Sequence, residues 1–322
     1  MKINNFYQTL FDYAFGVKQT KLPKVRGIAN KCYKYLVNKH RIQKNESNFI
    51  NFSFGPNSLM INTTHRLPFT LRMHKLYSMN LVRLCEYMIH QNIKLKVLDI
   101  GANIGDTVFL ITQKENFPIL CIEGNPEYLE LLEHNISKHP NVDLIKCFVG
   151  SNDKKENAKI VSDGYGSSYI KKENSENEII YNSLNSILKK KPDFEDFNLI
   201  KIDTDGFDGE IIRGNIETIV KNKATIFFEY APTFFQNGID SELQLFKLLS
   251  ENDYSRFIFY NNLGEIMFVC NSSDELSINS AHEYFSRNNR YADVIAFHKE
   301  ETDLFNYVLS EENKFIKYFY KK

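Results

Sequence analysis

Residues 97–107 read VLDIGANIGDT, and this stretch decides the fold. A short apolar run containing one acid is followed by two closely spaced glycines and then by a polar pair suited to a helix start. This order predicts a buried strand, a tight turn and a helix. In an open α/β sheet, ligands bind where strands end and the following helices begin. Gly101 and Gly105 would let a ligand approach the backbone of the turn.

The spacing of the glycines indicates which ligand the turn suits. They form Gly-x-x-x-Gly, whereas dinucleotide sites carry Gly-x-Gly-x-x-Gly, and Asn103 stands where the middle glycine would be. The next apolar run, ILCIE at 119–123, ends in Glu123, whose carboxylate can accept hydrogen bonds from ribose hydroxyls. Together these features indicate an adenosine-type ligand. Asp99 and Asn103 also suit a purely structural role in the turn.

Apolar runs alternate with helical patterns through most of the remaining chain, as in parallel βαβ units. We expect an α/β fold of the Rossmann-like type, with a mostly parallel seven-stranded sheet and helices on both faces. The predicted strands are 96–100, 119–123, 142–149, 198–203, 224–230, 255–260 and 292–298. The predicted helices are 78–91, 105–114, 126–138, 206–222, 240–251 and 275–288. Residues 266–270 would add a hairpin strand to 255–260, and the polar segment 151–192 is predicted to be an irregular excursion.

The same patterns divide the chain into three parts. Residues 1–78 are predicted to be an N-terminal extension, built from a basic amphipathic helix and a β-hairpin at 49–61. Residues 79–300 are predicted to form the Rossmann-like domain, and 301–322 a C-terminal helical tail.

The composition argues against several classes of protein. The 322 residues carry a formal net charge of 0, which provides no general attraction to nucleic acid. No apolar run approaches the ~18 residues of a membrane-spanning helix, and the N-terminus lacks the apolar core of a secretory signal. The 5 cysteines are scattered without a Cys-x-x-Cys pair, as in proteins whose thiols stay reduced. We therefore expect a cytoplasmic protein that does not bind nucleic acid, and the oligomeric state is open.

Charge is balanced over the whole chain but not near its start. Residues 13–45 contain Lys and Arg but no Asp or Glu, and apolar residues recur among them at helical spacing. This pattern predicts a basic amphipathic helix. Such a helix either packs against the domain with a solvated basic face, or contacts an anionic membrane or an acidic partner protein through residues 18–44. The membrane alternative would place the protein peripherally at the inner membrane surface.

Five motifs follow one another in order: LDIGANIGDT (98–107), CIEGNP (121–126), GSS (166–168), LIKIDTDGFDGEIIRG (199–214) and IFFEY (226–230). Together they resemble the FkbM family of S-adenosylmethionine-dependent methyltransferases. The resemblance implies a class I methyltransferase fold, S-adenosyl-L-methionine as cofactor, and methylation of a hydroxyl on a sugar or related scaffold, as in polysaccharide biosynthesis. Many members carry Asp-x-Glu-Gly, whereas residues 203–206 here read DTDG, which retracts the second carboxylate by one methylene.

Methylation of an alcohol implies a base, because the hydroxyl proton must leave during the transfer. Asp203 and Asp205 end the fourth predicted strand, and we expect one of them to orient and deprotonate the acceptor. The choice between the two is open, as are a structural role in the turn and a magnesium site shared with Glu229. Asp208 is expected to cap the helix that follows.

The candidate site residues fall into two further groups. The cofactor-binding candidates surround the turn and the acid after it: Asp99, Gly101, Asn103, Gly105, Asp106, Thr107, Glu123 and Asn125. The acceptor-binding candidates lie upstream of the domain, in the polar excursion and in the fifth strand: His65, His74, Tyr77, Ser167, Ser168 and Glu229. No metal ligands are predicted, and the expected partner is a small-molecule or glycan acceptor.

Two other functions compete with this hypothesis. A nicotinamide-dependent oxidoreductase would use the same kind of fold, but the dinucleotide glycine pattern is missing. A non-catalytic Rossmann-like module in a glycan-assembly complex would use the basic N-terminal helix for assembly.

Overall fold

The computed structural model describes residues 3–15, 23–43, 48–162, 168–171, 178–233, 239–287 and 290–321. Its strands are β1 (Phe49–Phe54), β2 (Asn57–Asn62), β3 (Val97–Ile100), β4 (Ile119–Glu123), β5 (Val142–Lys146), β6 (Phe148–Val149), β7 (Lys154–Asn157), β8 (Lys159–Ser162), β9 (Ser168–Lys171), β10 (Glu178–Asn182), β11 (Leu199–Ile202), β12 (Thr225–Tyr230), β13 (Tyr254–Asn261), β14 (Ile266–Asn271) and β15 (Ala292–His298).

The helices are α1 (Asn5–Phe15), α2 (Pro23–Gln43), α3 (Leu67–Met73), α4 (Met79–His90), α5 (Asp106–Ile111), α6 (Pro126–Ile136), α7 (Leu184–Lys190), α8 (Asp208–Asn222), α9 (Ile239–Glu251), α10 (Glu275–Phe285) and α11 (Thr302–Phe319). Short 3₁₀ turns lie at Pro192–Phe194 and Lys299–Glu301. Within the described ranges, no helix combines the length and apolar character needed to cross a membrane.

An eight-stranded sheet forms the centre of the molecule, in the order β14-β13-β15-β12-β11-β3-β4-β5. The five strands from β12 to β5 run parallel to one another, and β15, β13 and β14 pair antiparallel. The predicted α/β class with a mostly parallel sheet is confirmed. The predicted number of seven strands is too low, because β14 pairs along β13 at the sheet edge as the hairpin strand expected at 266–270.

The central strands are buried on both faces. Every residue of β3, β4 and β11 is buried, which explains why these strands appear in the sequence as continuous apolar runs rather than as alternating ones. One face packs against α7–α10, with Ile211 and Phe246 in the shared core. The other packs against α4, α5 and α11, with Leu84 and Val308 in the core. The predicted placement of helices on both faces is confirmed.

The N-terminal elements share a third core with the sheet domain. Rings of Phe52 in β1 and Phe109 in α5 lie 5.8 Å apart. The Asn135 side chain in α6 accepts from the Met60 amide at 2.8 Å and donates to the Met60 carbonyl at 2.9 Å, which attaches the hairpin to the domain. The hairpin and the basic helix agree with the prediction, and α1 was not foreseen. The boundaries at 78/79 and 300/301 stay predictions.

Segment 151–192 is more ordered than predicted. Strands β7 and β10 pair antiparallel, β10 also pairs with β6, and β8 pairs with β9. The prediction of an irregular excursion is therefore wrong for the described part of this segment. Its strands are four or five residues long and carry charged residues on their exposed faces, so the period-2 pattern is weak in the sequence. Residues 163–167 and 172–177 lie outside the described ranges.

Candidate functional site

A cleft of about 620 Å³ opens at the carboxyl ends of β3, β4 and β11. Polar groups from three loops line it, including Asn103, Glu123 and Asp203. Its apolar lining includes Ile122, Tyr128, Phe148, Val149, Ile160, Ile170, Phe207 and Ile211. The cleft lies where the order of the glycine turn and the following acid predicted a ligand site.

The turn after β3 requires glycine at its first position. Gly101 has a φ of 75°, and a Cβ built there would lie 2.0 Å from the carbonyl oxygen of Asp203. No side chain fits at that distance, so glycine lets the turn pack against the end of β11. The Gly101 amide also donates to the carbonyl of Ile122 at 3.0 Å, which fixes the turn against β4. Asn103 has a φ of 49°, which asparagine tolerates better than most residues.

Glu123 connects the glycine turn to the start of α6. Its Oε2 accepts a hydrogen bond from the Asn103 amide at 2.9 Å, and its Oε1 accepts one from the Asn125 amide at 2.7 Å. Burial raises the pKa of Glu123, and these backbone donors oppose the rise. The Gly124 amide is a further backbone donor, so of the about four acceptor positions of a carboxylate at least one remains for a ligand in the cleft.

Asn125 joins the same wall of the cleft to the segment around β9. Its Oδ1 accepts from the Glu127 amide at 3.0 Å and caps α6, while its Nδ2 donates to Ser168 Oγ at 2.9 Å. The Ser168 amide donates to Asp205 Oδ2 at 3.2 Å. A chain of contacts therefore runs from Asn125 through Ser168 to Asp205 across the mouth of the cleft.

Sequence reasoning missed Lys201, a buried lysine beneath the turn. Its Nζ donates to the Gly101 carbonyl at 3.0 Å, pairs with Asp99 Oδ1 at 3.1 Å and lies 3.7 Å from Asp203 Oδ2. Burial opposes the charge of Lys201, but Asp99, Asp203 and Asp106 together hold its pKa above the ordinary value. Burial raises the pKa of Asp99, and Lys201 opposes that rise. A lysine inside the otherwise apolar run LIKI was the available signal.

Asp203 is the accessible carboxylate of this rim, with 51% of its side chain exposed. Asp208 is buried and accepts from the Thr204 hydroxyl at 2.8 Å and from the Glu229 amide at 3.2 Å. Burial, and then the charge of Asp203, raise the pKa of Asp208 to about 8. Asp208 therefore connects the loop after β11 to β12. The expectation that it caps the following helix is wrong, because among the described residues no side chain caps that helix.

The charge of Asp203 affects the pKa values of Tyr77 and Glu229. Burial raises the pKa of the Tyr77 hydroxyl, and Asp203 raises it further. Burial likewise raises the pKa of Glu229, and Asp203 and then Asp208 add to the effect. Two of the predicted acceptor-binding residues therefore lie within electrostatic range of Asp203, although neither lines the cleft.

Asp293 was also missed, because its position depends on the antiparallel strand β15. It pairs in register with Glu229 across β12 and β15. Asn80 Nδ2 donates to Asp293 Oδ2 at 2.7 Å, and burial raises the pKa of Asp293 to about 7. In the same region, burial and then Glu229 raise the pKa of Tyr291 above its ordinary value.

The remaining predicted residues lie away from the lining of the cleft. Asp99 is buried beneath the turn, and Gly105, Asp106 and Thr107 form the start of α5. His65 Nδ1 accepts from the Leu67 amide at 3.2 Å beside α3. His74 ends α3 and lies near Glu265, whose pKa it helps to lower after Tyr320 and Asn261. Ser167 lies outside the described residues. The functional roles of all these residues stay predictions.

Within the described residues, no three acidic, histidine or cysteine side chains converge in a way that could hold a metal ion.

Comparison with known proteins assigns the domain that surrounds this cleft. The profile of the methyltransferase FkbM domain matches residues 99–256, from the end of β3 into β13. The chain carries an FkbM methyltransferase domain. The resemblance found in the five sequence motifs is thereby confirmed. The comparison with curated protein sequences gave no match.

Solved structures of methyltransferases resemble the chain only remotely. The FkbM methyltransferase of Methylobacillus flagellatus KT is 13% identical with a TM-score of 0.33, covering 63% of this chain and 44% of that one. Cofactor-bound Rv0187 from MTB is 13% identical with a TM-score of 0.38, covering 69% and 80%. A putative O-methyltransferase from Klebsiella pneumoniae is 9% identical with a TM-score of 0.40, covering 71% and 87%. Likeness at this level assigns neither a reaction nor an acceptor.

S-adenosylmethionine is the cofactor of the FkbM domain. The residues present fit this molecule. Glu123 retains acceptor positions for a ribose, the apolar wall formed by residues such as Ile122 and Phe148 suits an adenine ring, and Asp203 and Asp205 provide negative charge near a sulfonium. The nicotinamide alternative is therefore discarded.

Proposed function

We propose that the protein methylates a hydroxyl group of a sugar, a glycan or a related metabolite. The observation that carries this proposal is Asp203, an accessible carboxylate at the rim of the cleft, beside the buried cation Lys201. An exposed carboxylate at the rim of the cofactor cleft is placed to take a proton from an acceptor. S-adenosylmethionine, when bound, supplies an electrophilic methyl group on a positively charged sulfur.

Three groups of the chain would hold the cofactor. Glu123 accepts hydrogen bonds from the ribose hydroxyls while its backbone contacts keep the carboxylate oriented. The apolar wall around Phe148 holds the base, and a Cβ on Gly124 would lie 2.4 Å from that ring, so only glycine allows the ring to pack there. Asn125 holds Ser168 across the mouth of the cleft.

Asp203 is the better candidate for the base, and Asp205 for a structural role. Asp205 accepts from the Ser168 amide and adopts a φ of 50°, which suits a residue that shapes the loop. Asp203 is instead the more exposed of the two, and its charge helps to raise the pKa of Tyr77 and of Glu229 after burial. In the reaction, the acceptor oxygen bonds to the methyl carbon, the carbon–sulfur bond breaks, and the hydroxyl proton passes to Asp203. A methyl ether and S-adenosylhomocysteine result.

The groups around Asp203 suit an acceptor with several hydroxyls. Carboxylates accept hydrogen bonds from hydroxyls, and Tyr77 can stack against or bond to a sugar ring. We also propose a cytoplasmic location, which the 5 free cysteines support. The formal net charge of 0 supports an acceptor other than nucleic acid.

The test is methyl transfer from radiolabelled S-adenosylmethionine to hydroxylated acceptors and to cell extracts, followed by mild alkali. A methyl ether keeps its label under alkali, whereas a methyl ester loses it. Asp203→Asn should lower kcat by about 10²–10⁴-fold and leave cofactor affinity within a few-fold.

Asp143→Asn is a matched control, because Asp143 has 47% of its side chain exposed and also pairs with a lysine, Lys191, at 2.9 Å. It should leave the rate unchanged. Alkali-labile label, or full activity in Asp203→Asn, would overturn the proposal. If neither S-adenosylmethionine nor its demethylated product binds, the non-catalytic alternative takes its place.

A further inference from the structure

Helix α2 carries a stripe of exposed apolar residues that the methyltransferase reaction does not explain. Val25, Ile28 and Tyr35 are 38%, 62% and 67% exposed, and Cys32 between them is also exposed. At about 100° per residue, these four positions fall within roughly 80° of the helix circumference. They therefore form one continuous strip, called here the α2 stripe.

The side of α2 next to the stripe, about 40–80° round the helix from Val25, is packed against the domain. Ala29 and Tyr33 are buried in the core shared with α1 and the hairpin. The Tyr33 hydroxyl donates to the Thr63 carbonyl at 3.0 Å, and its ring lies 5.6 Å from that of Phe11. Because these contacts hold the helix against the domain, the α2 stripe is presented to the surroundings.

Cations lie along one edge of the α2 stripe and on other exposed parts of α2. Lys24, Arg26, Lys31 and Lys34 are all exposed, and residues 13–45 contain no acid that could neutralise them. On the helix, Lys24 and Lys31 lie within about 40° of the edge of the stripe. The exposed Arg72 of α3 adds a further cation near Arg26, whose charge, after burial, lowers the pKa of Arg72.

We propose that α2 binds the surface of an anionic phospholipid membrane, with the α2 stripe in the headgroup region and the lysines against the phosphates. Apolar residues bordered by lysine are the pattern of helices that lie in the membrane interface. Each such cation near an anionic surface strengthens binding about fivefold. Protein interfaces are depleted in lysine, so a lipid surface fits this face better than an acidic protein.

Cosedimentation of the full chain with vesicles tests the proposal. The protein should bind vesicles of phosphatidylcholine mixed with phosphatidylglycerol, bind vesicles of phosphatidylcholine weakly, and dissociate as salt rises. A polarity-sensitive fluorophore on Cys32 should shift to the blue on binding. Cys32 is the exposed thiol, whereas Cys85, Cys121 and Cys270 are buried and Cys147 is partly buried.

Two sets of variants separate the apolar from the electrostatic contribution. Ile28→Glu with Tyr35→Glu should abolish binding, whereas Leu276→Glu, at a position 79% exposed on α10, should not. Changing Lys24, Lys31 and Lys34 to Gln should weaken binding about 100-fold. The matched control changes three exposed lysines elsewhere, Lys94, Lys138 and Lys221, to Gln and should weaken binding far less.

The proposal would be overturned if the wild type did not bind anionic vesicles, or if the control set of lysine substitutions weakened binding as much as the substitutions on α2. It would also be overturned if the α2 stripe variant bound as the wild type does. Circular dichroism of each variant shows whether it is folded. Retention of the protein on an acidic partner, without any affinity for vesicles, would assign the surface to protein binding instead. Because cofactor binding is not part of this test, its outcome is independent of the proposed methyl transfer.

Discussion

Lys201→Met removes the buried cation beneath the glycine turn and should destabilise the fold strongly. Lys201 and Asp99 are both buried, and Nζ lies 3.1 Å from Oδ1. Removal of one partner of a buried ion pair leaves an uncompensated charge, at a cost of about 3–5 kcal/mol. Loss of the 3.0 Å hydrogen bond to the Gly101 carbonyl adds to this cost.

The destabilisation should depend on pH. Burial already raises the pKa of Asp99 in the folded protein, and without Lys201 it rises further. Below the unfolded pKa of about 4, Asp99 is protonated in both states and the penalty disappears. As the pH rises through the folded pKa, the folded state must ionise a buried carboxyl, so the variant loses stability relative to the wild type.

Urea unfolding of four proteins measures this effect: wild type, Lys201→Met, Asp99→Asn and the double variant. Residues in contact couple by about 0.5–3 kcal/mol, and we expect a value in the upper half of that range. Lys191→Met, which breaks the exposed pair with Asp143, is the control and should cost less than about 1 kcal/mol. The reasoning is refuted if Lys201→Met costs less than about 1 kcal/mol at every pH.

Two further predictions concern the turn and the acidic rim. Gly101→Ala should cost at least about 2 kcal/mol in urea unfolding, because its φ is positive and its Cβ would meet the Asp203 carbonyl. In the control Gly27→Ala on α2, the added Cβ lies within 4 Å of no atom, so the variant should be as stable as the wild type or more stable. Equal destabilisation by the two glycine substitutions would contradict the assigned geometry. Asp293 has a folded pKa of about 7 through burial, so its contribution to stability is greatest below about pH 4 and declines toward pH 7. Asp293→Asn should flatten the decline by up to about 1.4 kcal/mol per pH unit, whereas the exposed Asp303→Asn should leave the profile unchanged.

The central sheet could be predicted because its strands are buried on both faces. Runs such as ILCIE and LIKI are apolar except for one charged residue each, and Gly101 and Pro126 mark the turn and the helix start. Helix α1 was missed because it is only 11 residues long and carries no acid in its first turn to mark its start. The strands between 151 and 182 were missed because short, charged strands show little alternation.

The sequence could predict only the part of the site that is formed by residues on consecutive strands. The glycine turn and Glu123 end adjacent parallel strands, so their proximity follows from the strand order. Asp293 and Tyr291 come from a distant part of the chain and reach Asp203 only because β15 pairs antiparallel with β12. Lys201 was overlooked because two of its three partners, Asp99 and the Gly101 carbonyl, come from β3 and the turn after it, about 100 residues earlier in the chain.

The central claim is that Glu123 holds the ribose of the cofactor beside the glycine turn. Calorimetric titration of the wild type and of Glu123→Ala, each with S-adenosylhomocysteine and with its 2′,3′-dideoxy analogue, tests it most directly. Removal of the ribose hydroxyls should weaken binding to the wild type at least tenfold, since each lost charge-assisted hydrogen bond costs about 1.5–3 kcal/mol. In Glu123→Ala, the two ligands should bind with nearly equal, weaker affinity. Equal affinities for the two ligands in the wild type, or the same preference in both proteins, would contradict the account.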